Sequence, residues 1–166
     1  MGFSFYNPNP ARRQVGDCPV RAICKATGKS WDEVYVALAL HGFEVGDMPS
    51  ANAVWGAYLN QLGYARHGVP SSNPDTYTVA EFARDHPIGT YILALATHVV
   101  CVRDGDWFDT WNSGSQTPLY FWERNESECM DSTNRRCKTS SCSFANSINR
   151  SSRPSLWRKC RSLPRA

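Results

Sequence analysis

No run in this chain approaches the ~18 apolar residues of a membrane-spanning helix. The opening Met1-Gly2-Phe3-Ser4-Phe5-Tyr6-Asn7-Pro8 lacks the basic-then-apolar layout of a signal peptide. Both absences predict a non-secreted, cytoplasmic protein with no membrane partner. Paired C-x2-C knuckles are also missing. The seven cysteines are an odd set, which argues against a complete disulfide framework. Those at Cys129, Cys137, Cys142 and Cys160 have neither zinc-ligand spacing nor an accompanying histidine. Neither a metal nor another cofactor is expected.

A long Lys/Arg block is lacking too, and the formal net charge of +3 conceals a division. Residues 123–166 hold ten Lys/Arg against four Asp/Glu, leaving eight against eleven in residues 1–122. A basic tail allows nonspecific contact with nucleic acid, but specific nucleic-acid binding is not expected. The tail is crowded with Ser, Asn, Arg and scattered Cys and shows no helical or strand period, so its composition predicts disorder. The rest, 1–122, is the right size for one domain with its own core.

What is present falls into helices first and strands second. Residues 1–15, with Pro8 and Pro10, read as an extended lead-in. A helix is expected from Cys18 to Thr27, stopped by Gly28. Ser30-Trp31-Asp32-Glu33 forms a capping box for a second helix, with Val34, Leu38, Val36 and Leu40 as its buried side. Gly42 to Pro49 reads as a loop, Ser50 to Leu62 as a third helix ended by Gly63, and residues 70–75 as a turn-rich connection. Thr78-Val79-Ala80-Glu81 opens a short helix to Asp85. Strands are expected at Thr90–Leu95, His98–Arg103, Asp106–Trp111 and Leu119–Trp122. The sum is an α+β domain, helices packed on a small antiparallel sheet.

Three stretches carry chemistry. Pro19 suits a first helical turn, so Cys18 begins its helix, where unpaired backbone N–H groups and the helix dipole stabilise a thiolate. Asp17 beside it is a candidate N-cap. Ala96-Thr97-His98-Val99-Val100-Cys101-Val102 places one imidazole, a candidate base, in an apolar strand. Across an Asp104-Gly105 turn, Trp107-Phe108-Asp109-Thr110-Trp111-Asn112 offers two residues to orient it: the acid Asp109 and the amide Asn112. A two-residue turn pairs Arg103 with Asp106 and makes Asp109 a diagonal neighbour of His98 on one face; a bulge would bring Asn112 there instead. Asp109 is the expected partner.

In Gly16-Asp17-Cys18-Pro19-Val20-Arg21-Ala22, Gly89-Thr90-Tyr91-Ile92, Thr97-His98-Val99-Val100-Cys101-Val102 and Asp109-Thr110-Trp111, the chain resembles small papain-like cysteine peptidase-superfamily proteins often found in phage and mobile-element genomes. It is also similar to bacteriocin-processing peptidases. The resemblance covers about residues 10–122. It implies a papain-like fold with Cys18 as nucleophile, His98 as base, Asp109 as orienting acid and Gln14 as a candidate oxyanion donor. The expected function is a thiol-dependent hydrolase, a cysteine peptidase or amidase, acting on a peptide or protein through a thioester. The alternatives are an inactive binding or structural module on the same fold, and an acyltransferase using the same triad.

Overall fold

A computed structural model describes residues 1–70 and 76–124. The expected turn-rich connection falls almost wholly in 71–75, and the expected disordered tail from 125 onward, both outside the described residues. Among the described residues, no helix is long and apolar enough to cross a membrane.

Among the described residues, four helices, α1 (Cys18–Thr27), α2 (Trp31–Val45), α3 (Asn52–Gln61) and α4 (Val79–Asp85), join six strands: β1 (Phe3–Phe5), β2 (Tyr64–Gly68), β3 (Thr90–Ala94), β4 (Val99–Arg103), β5 (Asp106–Asp109) and β6 (Tyr120–Arg124). Local signals explain most boundaries. Pro19 lies in the first turn of α1, and Gly28 ends it in the left-handed conformation at φ 75°. Ser30 with Glu33 and Thr78 with Glu81 form complete capping boxes for α2 and α4.

The strands lie in the order β1-β5-β4-β3-β6-β2. All neighbours are antiparallel except β1 and β5, which run parallel. The sheet is therefore mixed, not purely antiparallel. Two of its strands, β1 and β2, lie in stretches whose sequence did not suggest strands. Neither has more than three residues on a face, too few to establish a period of two, and each takes its order from a distant partner: Trp107–Asp109 for β1 and Tyr120–Arg124 for β2. Pairing with β2 also carries β6 to Arg124, two residues beyond the expected domain boundary at 122.

Alternation along the central strands builds a core on both faces. Ile92, Ala94, Val99 and Cys101 pack with Val20, Ile23, Cys24, Leu38 and Trp55 of α1–α3. Tyr91, Leu93, Val100 and Val102 pack with Val79, Phe82 and Ala83 of α4. Helices thus cover both sides, with α4, among the described residues, on the second.

Helix α2 corrects two expectations. It continues through Gly42 to Val45, and Gly46, at φ 72°, ends it. Gly42 is there because Asp47 and Pro49 pass over it: a β-carbon at this position would lie 2.5 Å from the Asp47 carbonyl oxygen. Val34 and Leu38 are fully buried as expected, whereas Val36 and Leu40 are 54% and 59% exposed. They lie two positions from Val34 and Leu38, about 200° around the helix, and so face away from the sheet.

Candidate active site

Asp104 and Gly105, at φ 51° and 81°, form the two-residue turn of the β4–β5 hairpin. Its register pairs Arg103 with Asp106, Val102 with Trp107 and Cys101 with Phe108. The ladder stops there, one residue before Asp109 and three beyond His98. Strict alternation would place both on the side of Val100, Val102 and Trp107, which faces α4. Both side chains nevertheless reach α1; the β4–β5 ladder does not extend to them, and Asp109 is paired instead with Phe5 of β1. His98 is held at the start of β4 by its carbonyl, which accepts the Leu95 N–H at 2.8 Å across the β3–β4 turn. The Asp109 carbonyl accepts the Tyr6 N–H at 2.8 Å, so the chain leaving β1 fixes the end of β5.

Three elements thereby bring together Cys18, His98 and Asp109. His98 Nε2 donates to Asp109 Oδ2 at 2.6 Å. The Cys18 thiol lies close enough to the same imidazole to act on its charge. With Nε2 committed to Asp109, Nδ1 is the nitrogen left for the thiol. The His98 side chain is 15% exposed and that of Asp109 2%, so the ring edge meets solvent while the carboxylate does not.

Burial works against charge on the imidazole. The hydrogen bond to Asp109, the close approach of Cys18 and the negative charge of both outweigh it and lift His98 from 6.5 to about 9. Burial would likewise raise Asp109, but the bond to His98 and that ring's charge hold it below the ordinary carboxylate range. The Thr110 N–H, donating to Asp109 Oδ1 at 2.7 Å, adds to this. So does the fully buried Ser113 hydroxyl, which lies beside the carboxylate without a hydrogen bond of ordinary geometry. The loop carrying Ser113 is tied to the start of α4, where Val79 and Ala80 donate to the carbonyls of Gln116 and Gly114.

Asn112 takes another role. Its Oδ1 accepts from Trp107 Nε1 at 3.1 Å and from the Gly114 N–H at 3.2 Å, shaping the turn after β5. Gln14 is exposed and lines a cavity with Phe5, Tyr6, Asn7 and Arg12; Cys18 is not among the residues of that wall. Asp17 does not cap α1 through its side chain. Its carboxylate is drawn sideways, to the Arg21 guanidinium and to Trp31 Nε1, which donates at 2.8 Å. At the helix start, Pro19 has no N–H and that of Arg21 bonds the Asp17 carbonyl, so Cys18 and Val20 carry the first-turn donors left without intrahelical partners.

Two cavities lie near these residues. One of about 470 Å³ is lined by Gly16, Asp17, Pro19, Trp31 and Tyr35, which include both chain neighbours of Cys18 but not Cys18 itself. Another of about 490 Å³ is walled by Thr97, His98, Trp111 and Gln116. The other two described thiols, Cys24 and Cys101, are buried, and desolvation pushes each up to about 12. Cys18 alone of the three is partly exposed. Among the described residues, no group of three or more His, Cys, Asp or Glu side chains could hold a metal ion.

Arg21, Trp31 and Ser113 are parts of this site that sequence reasoning missed. Asp17 and Arg21 stand four apart, an ion-pair spacing on a helix. Arg21 is also flanked by Val20, Ala22 and Ile23, and a charge in so apolar a turn is a signal of burial beside a partner. Ser113 gave no comparable sign. Searches of protein-family models, curated proteins and solved structures find no match to this chain.

Proposed function

We propose that this protein is a thiol hydrolase of papain-like design, cleaving peptide or other amide bonds through a thioester on Cys18. The observation that carries the reading is the bond of His98 Nε2 to Asp109, on an imidazole that also meets a cysteine at a helix N-terminus. A cysteine-bearing helix packed against a hairpin that supplies the histidine and the acid supports a papain-like arrangement.

His98 Nδ1 takes the thiol proton, and Asp109 stabilises the imidazolium that forms. The thiolate attacks the substrate carbonyl carbon, and the negative charge moves to its oxygen, within reach of the free N–H groups of the first α1 turn. Collapse breaks the C–N bond, the amine leaves with the proton from imidazolium, and an acyl-thioester remains. Water, giving its proton to His98, then attacks the thioester, and acid and free thiol are released.

Iodoacetamide labelling of the full chain, read site by site by peptide mass spectrometry, tests this. Cys18 is expected to react at least about tenfold faster than Cys24 and Cys101, and His98→Ala to abolish the advantage. Labelling of Cys18 no faster than Cys24, or unchanged by His98→Ala, would refute the reading.

A further inference from the structure

Arg21 is a charged residue on the buried face of α1, only 6% exposed. An unpaired charge there would be costly, and both terminal nitrogens of the guanidinium have partners. One nitrogen bonds Asp17 Oδ1 and donates to the Val15 carbonyl at 3.3 Å. The other lies 3.6 Å from Asp109 Oδ1, the oxygen that His98 does not use. Asp17 in turn is anchored by Trp31 Nε1.

We propose that Arg21 is a positioning residue for this site: it captures Asp109 Oδ1 so that Oδ2 stays aimed at His98, while Asp17 and Trp31 fix the guanidinium from behind. The inference rests on the Cys18–His98–Asp109 reading and extends it. With Oδ1 held by Arg21 and the Thr110 N–H and Oδ2 by His98, the carboxylate is restrained against rotation about its Cβ–Cγ bond. The row runs Asp17, Arg21, Asp109, His98, Cys18, so charge alternates along it whenever the last two form an ion pair. Lysine could place a cation in this row but could not fork to both carboxylates.

Few other ionisable groups intrude. From α1, Lys25 lies over the Phe108 ring at 3.5 Å. From β4, Cys101 is a neutral thiol. From the chain after β1, Tyr6 is a phenol raised by burial and hence neutral. The loop after β5 gives only the Ser113 hydroxyl, and Glu33 of α2 is occupied by Ser30.

The test is the His98 imidazole titration in the full-length protein, followed by NMR, together with the Cys18 alkylation rate. Arg21→Met removes the cation behind Asp109 and is expected to raise the His98 midpoint by at least about half a pH unit. Arg21→Lys keeps a cation there and is expected to recover most of that shift, which is the part owed to charge. Asp17→Asn leaves Arg21 uncompensated and should move the midpoint down. These opposite signs distinguish coupling to the site from mere support of α1. Arg21→Met and Asp17→Asn shifting the midpoint in the same direction, or neither shifting it, would overturn the proposal. If Arg21→Met does not fold, the downward shift in Asp17→Asn and the near-parental midpoint in Arg21→Lys decide alone. Slow Cys18 labelling in the parent beside intact opposite shifts would defeat the hydrolase reading and leave the Arg21–Asp109–His98 coupling standing.

Discussion

Asp109 and Asn112 stand three residues apart and could each have faced the imidazole; what separates them is where each side chain is bonded. Asp109 Oδ2 accepts from His98 Nε2, whereas Asn112 Oδ1 is taken by Trp107 Nε1 and the Gly114 N–H. Their substitutions should therefore differ in kind. Asp109→Asn keeps the shape and removes the charge that, with its hydrogen bond, lifts His98 to about 9. The imidazole midpoint should fall, and Cys18 alkylation at neutral pH should slow on the order of 10²-fold. Asn112→Ala removes the acceptor for Trp107 Nε1. Its expected signature is altered indole fluorescence with the alkylation rate within about twofold of the parent. A rate loss in Asn112→Ala matching that of Asp109→Asn would contradict this division of roles.

Among the elements, those written in local code were legible in the sequence: two capping boxes, a proline in the first turn of α1, glycines after α1 and α3, and an Asp-Gly hairpin. Each is settled by residues within about four positions of one another. What was not legible has a distant cause. Strand β1 exists because Trp107–Asp109 offers a free edge, and β2 because Tyr120–Arg124 does. Gly42, a breaker by propensity, sits inside α2 because the Asp47–Pro49 backbone crosses it closely. The buried face of α2 was half legible, since apolar residues lie on both sides of it. Val34 and Leu38 meet the core, while Val36, Leu40 and Phe43 are exposed, Phe43 at 86%. Leu38→Ala should accordingly cost about 2–5 kcal/mol in denaturant unfolding, through lost contacts and a cavity. Leu40→Ala, two positions on, should stay within about 0.5 kcal/mol. Equal losses at the two positions would mean that the face of α2 turned to the core is not the one described.

The site belongs to no single element: Cys18 comes from α1, His98 from the β3–β4 turn and Asp109 from the end of β5. Unfolding separates them, so the stability of the whole molecule is linked to their protonation. His98 goes from 6.5, its ordinary value, to about 9 on folding. A group raised in this way binds its proton more tightly in the folded chain. Its contribution is fully present below about pH 6.5 and is lost as pH rises through about 9. Asp109 is shifted the other way, below its ordinary 3.8, so its contribution is present above that value and lost as pH falls through the folded one. Several other described carboxyls, Glu33, Glu81 and Asp85, are lowered as well, so the acid limb is shared. The alkaline limb is not. Cys24 and Cys101 are raised from 9 to about 12, which confines their losses to pH above about 9. The raised tyrosines start from 10 and act higher still. Between pH 6.5 and 9, the decline among the described groups belongs to His98. Melting temperature measured across this window should fall steadily in the parent and stay nearly flat in His98→Asn, which has no proton to lose. A parent curve that is level from pH 6.5 to 9, or a variant curve with the same slope as the parent, would show that folding adds no net proton at the His98 site in this window.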